Sequence, residues 1–284
     1  MLVNDKFKDY ELIDTSCGEK LERWGEVYLL RPDPLIIWDR GNLRDKYKID
    51  AHYHRKNTGG GYWENISSVP SRWTITYRDL VFNIKQMGFK HTGLFPEQAS
   101  NWDFMIDKIS NSKRDIRVLN LFAYTGGATL ACMKAGAHVT HVDSSRGMVD
   151  WCKENVSSSK LDPTKVRYIV DDVIKFVQRE IRRGNKYDAI IMDPPSYGRG
   201  ANGEVWSLEN NLSYLVKLCS EILSEEPLFF LINSYTTGIS STSLYNMLSI
   251  IMDKYNGNIS HGEVGIKSKD GFILPCGIYC RWES

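Results

Sequence analysis

The chain has 284 residues, of which 42% are hydrophobic and 25% charged, a composition typical of a globular protein with one large or two modest domains. Lysine and arginine number 36 against 35 aspartate and glutamate residues, so the net charge indicates no general attraction to polyanions. The N-terminus has acidic residues where a signal peptide needs an apolar stretch, and no apolar run is long enough to cross a membrane. We therefore expect a cytoplasmic protein with no membrane partner, whose six cysteines are free thiols.

Residues 1–90 have the pattern of a small antiparallel β region. Its predicted strands are short, rich in β-branched and aromatic residues, and separated by Pro, Gly and Asn; they cover residues 27–30, 35–38, 51–54, 73–77 and 80–84. His52 and His54 share one face of a predicted strand. No Asp, Glu or Cys stands near them at ligand spacing, so no metal site is predicted.

Residues 40–56 mix six Lys and Arg residues with two tyrosines. A phosphate-contacting surface has this composition, but charge runs are more often solvated faces. The stretch is therefore only a weak indication of RNA binding.

From Arg117 onward, short apolar runs alternate with amphipathic stretches, which predicts a doubly wound parallel sheet covered by helices on both faces. The predicted strands are 118–122, 138–143, 166–170, 187–193 and 227–233, and the predicted helices are 127–136, 146–156, 172–183, 208–223 and 240–255. Two further extended stretches near the C-terminus are joined by a loop too short for a helix, so they must form an antiparallel pair. The chain is thus predicted to contain a β-rich region, residues 1–90, and an α/β domain, residues 91–284.

The first two motifs suit a nucleoside. VLNLFAYTGG is a buried strand that runs into a turn with Gly126 and Gly127, and glycine lets a backbone approach a ligand closely. Asp143 ends the next strand, where a carboxylate can accept both hydroxyls of a ribose. The turn lacks a GxGxxG fingerprint, which favours a nucleoside with one short tail over a dinucleotide. For the glycines alone, a turn that merely packs is an equally open interpretation.

The third and fourth motifs add acceptors at the same edge of the sheet. VDDVIKF places Asp171 and Asp172 there, and we favour Asp172 for an adenine amine because it can also cap the following helix; the alternative is that both only cap. In DPPSYGRG, Asp193 closes a buried strand and two prolines force an extended turn. Asp193 and the Pro194 carbonyl can hold an amine or a nucleobase edge, with Tyr197 as a stacking face. The alternative is an Asp-Pro turn with a core tyrosine.

In this order, VLNLFAYTGG, HVTHVDSS, VDDVIKF and DPPSYGRG resemble motifs I to IV of class I S-adenosylmethionine-dependent methyltransferases. More narrowly, the chain from about residue 90 to 284 is similar to the family of the 23S rRNA large-subunit cytosine methyltransferase. The resemblance implies a Rossmann-like, seven-stranded sheet with an antiparallel last pair, and S-adenosyl-L-methionine as cofactor. It implies methyl transfer at Asp193 and Pro194, next to Tyr197. The implied cofactor-binding residues are Gln98, Phe122, Ala123, Tyr124, Thr125, Gly126, Asp143, Ser144, Asp172 and Asp193.

One family feature is missing. A 5-methylcytosine enzyme attacks carbon 6 of the base with a cysteine thiolate. The fifth predicted strand runs into LINSYTTGIS, which has no thiol, and the default expectation for Cys219, Cys276 and Cys280 is core packing.

We therefore predict a methyltransferase that acts on RNA (rRNA), at a base nitrogen or carbon. Methylation of a protein or small-molecule amine, and a non-catalytic scaffold that binds S-adenosylmethionine, are the alternatives. A nicotinamide dehydrogenase is disfavoured because the glycine fingerprint is absent. The oligomeric state stays open between monomer and homodimer.

Overall fold

The computed structural model describes residues 1–57, 59–199 and 203–284. They form two compact units: the first contains Leu2–Ala99 and Gly265–Cys276, and the second contains Met1, Ser100–Val264 and Gly277–Ser284. The chain thus passes from the first unit to the second after Ala99. The domain boundaries 1–90 and 91–284 stay a prediction.

The first unit is built on β-strands. Its strands are β1 (Leu2–Val3), β2 (Tyr10–Ser16), β3 (Glu19–Trp24), β4 (Val27–Pro32), β5 (Ala51–Arg55), β6 (Gly61–Asn65), β7 (Trp73–Tyr77) and β8 (Leu80–Ile84), and its helices are α1 (Leu43–Lys46) and a 3-10 turn (Pro96–Gln98). Strands β2 to β6 form one sheet in chain order, and β7 pairs with β8. Neighbouring strands are antiparallel except β4 and β5, which are parallel.

Four of the five strands predicted for this region are confirmed, at β4, β5, β7 and β8. The strand predicted at residues 35–38 is wrong, because the side chain of Asp33 accepts from the Leu35 N–H and the Asp33 carbonyl accepts from the Ile36 N–H. These bonds close a turn after Pro32. The sequence pattern does not predict strands β2 and β3, because their buried positions include the charged side chains of Asp14 and Glu22. It does not predict β6 either, which has no buried residue.

A buried ion pair crosses β3 and β4. Both carboxylate oxygens of Glu22, which is fully buried, accept from the Arg31 guanidinium at 2.6 and 2.7 Å, and Tyr10 donates its hydroxyl to the same carboxylate at 2.8 Å. Burial alone acts to raise the pKa of Glu22, but the charges of Arg31 and Lys20 and these hydrogen bonds outweigh it and lower the pKa to about 2. Because each charge depends on its partner, loss of either one strongly destabilises the unit.

The second unit alternates strands and helices. Its helices are α2 (Ala99–Asn111), α3 (Gly127–Lys134), α4 (Arg146–Ser158), α5 (Val173–Arg183), α6 (Leu208–Glu221) and α7 (Ser241–Met252), with a 3-10 turn at Pro163–Lys165. Its strands are β9 (Arg117–Leu121), β10 (His138–Asp143), β11 (Val166–Val170), β12 (Ala189–Met192), β13 (Tyr197–Arg199), β14 (Val205–Ser207), β15 (Phe229–Ser234), β16 (Asn258–Lys267) and β17 (Ile273–Glu283). The last residues of β16 and the first residues of β17, which lie within Gly265–Cys276, belong to the first unit.

Within the described residues, the large sheet has eight strands in the order β1-β16-β17-β15-β12-β9-β10-β11, which is the predicted seven plus the two-residue β1 at one edge. Strands β15, β12, β9, β10 and β11 are parallel, and β17 is antiparallel to β15. The reversal of strand order beside β9 is the topological switch point of a doubly wound sheet, where ligands bind outside the carboxyl ends of the strands. The predicted fold class is therefore confirmed.

The helices pack on this sheet through apolar stripes. Helix α6 buries five residues with the spacing of one helical face, Leu208, Leu212, Leu215, Val216 and Cys219. They join a core with Leu119, Ile190 and Phe230, which lie on the parallel strands and are fully buried. Among the described residues, no helix has the length and apolar character needed to cross a bilayer.

Candidate functional site

Predicted site residues follow the ends of neighbouring parallel strands. Leu121 on β9 pairs in register with Val142 on β10 and with Met192 on β12. The residues that follow these three along the chain are the predicted site residues Phe122, Asp143 and Asp193. Since the three strands are parallel and in register, these residues lie at one edge of the sheet, as predicted.

The turn after β9 has an unusual backbone. Phe122 and Tyr124 have φ values of 54° and 51°, and Gly126 has a φ of 91°. Non-glycine residues in this left-handed region cost about 1–3 kcal/mol each and cluster at ligand-binding sites. The Ala123 N–H donates to the Val142 carbonyl and the Tyr124 N–H to the Asp143 carboxylate. The turn is thus held against the end of β10.

Both glycines of the turn are required by packing. A Cβ at Gly126 would lie 2.2 Å from Sγ of the buried Cys152, and a Cβ at Gly127 would lie 2.7 Å from the Trp102 ring. Such distances are far inside contact distance, so any larger residue displaces α3 or its neighbours. Packing therefore explains the glycines by itself, and cofactor contact at Gly126 stays a prediction.

Asp143 is fixed by two backbone donors. Its Oδ2 accepts from the Tyr124 N–H at 2.9 Å and its Oδ1 from the Ser145 N–H at 2.8 Å. Each carboxylate oxygen has a second lone pair, so the group can still accept two ligand hydroxyls. Burial raises the pKa of Asp143, while the two N–H groups act to lower it. Ser144 is exposed beside it.

The structure distinguishes the two aspartates after β11. Asp171 forms an ion pair with Arg179. Asp172 is the N-cap of α5, where its Oδ1 accepts from the Lys175 N–H at 2.9 Å. The predicted capping role of Asp172 is confirmed, and its contact with an adenine amine stays a prediction.

The turn after β12 combines buried and exposed groups. Asp193 is half-buried and Pro194 buried, and the Pro195 carbonyl accepts from the Trp206 indole N–H at 2.7 Å. Tyr197 begins β13 and is 56% exposed, so the alternative of a core tyrosine is wrong. Gly200, the last residue of DPPSYGRG, lies outside the described residues.

Trp206 contacts both turns of the candidate site, and the sequence did not reveal it. It lies on β14, which pairs antiparallel with β13, and its ring centroid is 4.7 Å from that of Phe122. Through this contact and its bond to Pro195, Trp206 connects the turns after β9 and β12. The short β13–β14 hairpin has no recognisable sequence pattern, and an isolated tryptophan in GEVWSLENN was its only signal.

The end of β15 carries amides and hydroxyls instead of a thiol. Asn233 and Ser234 are buried there, and Asn233 accepts from the side-chain amide of Asn101 at 3.0 Å. All six cysteines of the chain are described and free. Cys219 is buried within α6, and burial raises the pKa of Cys280 on β17 to about 12. A thiolate for attack on cytosine is therefore missing from the described residues of this edge.

Gln98 is the one predicted cofactor residue in the first unit, where it ends the 3-10 turn and is buried. Its predicted approach to the cofactor stays a prediction.

Together, the switch point, the strained turn after β9 and the carboxylates after β10 and β12 define a doubly wound α/β protein with a nucleoside-binding edge. Comparison with known proteins makes this specific. The family of S-adenosylmethionine-dependent methyltransferases matches residues 41–232, and the chain belongs to this family. The predictions of the family, the class of enzyme and the cofactor are confirmed.

Several relatives share the family. The chain is 40% identical over 200 residues to a ribosomal RNA large subunit methyltransferase I from Klebsiella pneumoniae. These 200 residues make up 68% of this chain and 47% of the relative. The chain is 27% identical over 189 residues to a ribosomal RNA large subunit methyltransferase K/L from Syntrophotalea carbinolica, 66% of this chain and 26% of the relative. The chain thus spans less than half the length of these two proteins.

A solved structure matches over almost the whole chain. The crystal structure of the SAM-dependent methyltransferase from Agrobacterium tumefaciens is 34% identical, with a TM-score of 0.94 over 99% of this chain and 92% of that one. The match thus extends over the residues of both compact units.

Proposed function

We propose that this chain transfers the methyl group of S-adenosylmethionine to a nitrogen of an RNA base, and that residues 91–284 form its methyltransferase domain. The observation that carries the proposal is the register of β10, β9 and β12, which sets Asp143 and Asp193 on either side of the turn at Phe122. In this proposal residues 122–126, Asp143, Ser144 and Asp172 bind the cofactor, and the acceptor binds at Asp193 and Pro194.

Methyl transfer needs few catalytic groups from the protein. The sulfonium already activates the methyl group, so the site must orient the acceptor, exclude water and take up a proton late in the reaction. The methyl–sulfur bond breaks as the methyl–nitrogen bond forms, and S-adenosylhomocysteine leaves. Asp193 and the Pro194 carbonyl accept hydrogen bonds from the exocyclic amine, and the Asp193 carboxylate takes the amine proton. Tyr197, 56% exposed, supplies a face on which an unpaired base stacks.

RNA is favoured over other amines by the names of the relatives, which are ribosomal RNA methyltransferases. Nitrogen is favoured over carbon 5 of cytosine because the thiol that carbon chemistry needs is missing from the described residues of this edge. The basic stretch at residues 40–56 adds no support. Arg40 already forms ion pairs with Asp14 and Asp270, so part of this charge serves contacts within the protein.

Two measurements test the proposal. Ribosomal RNA from cells without the gene should lack one N-methylated nucleoside in mass spectrometry, and the purified chain should restore it with S-adenosylmethionine. Asp193→Ala should abolish transfer and leave cofactor affinity within about threefold. The control Asp115→Ala, at an exposed position, should leave both transfer and cofactor affinity unchanged. An unchanged nucleoside profile together with methylation of a protein or metabolite amine would overturn the RNA assignment. Cofactor binding without any transfer would indicate a scaffold.

A further inference from the structure

We propose that the first unit holds a Zn²⁺ ion on His52, His54 and Glu64, with Glu19 orienting His52. All four residues lie in the first unit, and none of them is among the residues assigned to cofactor binding or methyl transfer. Three strands supply them: Glu19 is on β3, the histidines are on β5, and Glu64 is on β6.

The pairing of β5 with β6 brings the three ligands together. His52 and Glu64 are partners in the antiparallel register, and His54 lies two residues further along β5, on the same face. One donor atom from each of the three side chains lies within 4.8 Å of the other two, and His54 Nε2 is 2.8 Å from Glu64 Oε2. Ligands on one tetrahedral zinc ion are about 3.3 Å apart, given metal–ligand distances near 2.0–2.1 Å. Small side-chain rotations are therefore enough to close the site.

A buried nitrogen without a partner supplies the second observation. His52 is 6% exposed, and its Nδ1 is buried with no hydrogen-bond partner among the described residues. Its Nε2 lies 2.5 Å from Glu19 Oε1. A ring whose Nε2–H donates to a carboxylate presents a bare lone pair at Nδ1, which is the form of histidine that binds metal. A carboxylate behind a ligating histidine is the usual outer-shell arrangement of zinc sites.

The donor set selects the metal. Two imidazoles and one carboxylate suit zinc, which binds three protein ligands and leaves a fourth position for water in its open sites. The opposing charge is Arg44, whose guanidinium lies 3.2 Å from Glu64 Oε2. Both members of this pair are more than a third exposed, so the interaction is weak in water and Arg44 can swing away.

Local sequence spacing predicts no metal here, because no acidic residue stands near the histidines in the same strand. Glu64 comes ten residues after His54, across the turn between β5 and β6, and Glu19 comes from a strand that the sequence pattern does not predict. The ligands are neighbours only once the sheet is paired. A bound ion would link β5 to β6 directly and β3 through His52.

The experiment uses the untagged 284-residue chain after treatment with a chelator. The chain is titrated with Zn²⁺ in a calorimeter and with Co²⁺ in an absorption spectrometer. We expect one ion per chain and a visible Co²⁺ band of tetrahedral type. His54→Gln and Glu64→Gln should abolish both signals. Glu19→Gln should weaken Zn²⁺ binding about 10–100-fold, as loss of an outer-shell partner does. Arg44→Ala should strengthen it.

The matched control is His138→Gln, which removes an exposed histidine outside the cluster and should leave Zn²⁺ binding unchanged. Melting of the metal-free variants checks their folding, and Glu64, which is exposed, provides the test if His54→Gln unfolds. The proposal is overturned if the unaltered chain binds no Zn²⁺, or if a folded Glu64→Gln variant binds it as the control does.

Discussion

Replacing Gly126 by alanine separates packing from backbone strain at the turn after β9. The φ of 91° at this position costs an alanine about 1–2 kcal/mol, because its Cβ approaches the following carbonyl. The new Cβ would also lie 2.2 Å from Cys152 Sγ and 3.3 Å from Leu130 Cδ1. Overpacking of this kind costs a further ~1–3 kcal/mol. The expected loss in the free energy of unfolding is therefore about 2–5 kcal/mol.

Gly136 provides the matched control. Its φ is 100°, but a Cβ there meets nothing within 4 Å. Gly136→Ala should therefore show the strain alone, about 1–2 kcal/mol, and the difference between the two variants should be the steric part. Cys152→Ala in the Gly126→Ala background removes the closest contact and should recover part of that difference.

Urea denaturation measures these free energies, and calorimetry with S-adenosylmethionine shows whether displacement of the turn also weakens the cofactor. We expect Gly126→Ala to lose affinity more than Gly136→Ala does. The reasoning is refuted if the two variants lose equal stability, or if Cys152→Ala gives no recovery.

Three further predictions concern the titratable and aromatic groups. Burial raises the pKa of Asp143, so the contribution of Asp143 to folding stability should fall as pH increases through that raised pKa. Affinity for S-adenosylmethionine should rise over the same range, because the ionised carboxylate accepts the ribose hydroxyls. Calorimetry at several pH values should show this rise in affinity for the unaltered chain and not for Asp143→Asn. Trp206→Phe keeps an aromatic ring near Phe122 but removes the donor to Pro195, so it should cost about 1 kcal/mol of stability and lower kcat more than cofactor affinity; equal kcat in steady-state kinetics contradicts this. Glu22→Ala leaves Arg31 buried without its partner and should lower the free energy of unfolding by about 3–5 kcal/mol in denaturation experiments. In the unaltered chain, the stability that Glu22 supplies should be present above the ordinary carboxyl pKa range and should disappear as pH falls towards the Glu22 pKa of about 2.

The α/β part of the fold is predictable because its signal is local. A buried parallel strand such as β12 is a continuous apolar run. The flanking strands β10 and β11 also begin and end where the sequence predicts. The order of the motifs fixes which residues stand at the strand ends, so Asp143 and Asp193 can be identified from the sequence alone. The register that aligns Asp143 with Asp193 depends on how the strands pair, which the sequence does not show.

Features that depend on pairing between distant segments are not predictable in this way. β3 carries a buried glutamate that is stable only when it is hydrogen-bonded to Arg31 on β4, so its sequence does not alternate as a half-buried strand should. Trp206 gains its role from contacts with the turns after β9 and β12, which are 84 and 11 residues earlier at Phe122 and Pro195. The pairing of His52 with Glu64 escapes local spacing for the same reason.

A crystal structure of the chain with S-adenosylhomocysteine tests the central claim most directly, because that claim places one nucleoside pocket across the ends of β9, β10 and β12. We expect the ribose hydroxyls within hydrogen-bond distance of the Asp143 carboxylate, the methionine part along the turn at residues 122–126, and the sulfur facing Asp193. A ligand bound elsewhere, with Gly126, Asp143 and Asp193 opening into different cavities, would contradict the assignment of every site residue.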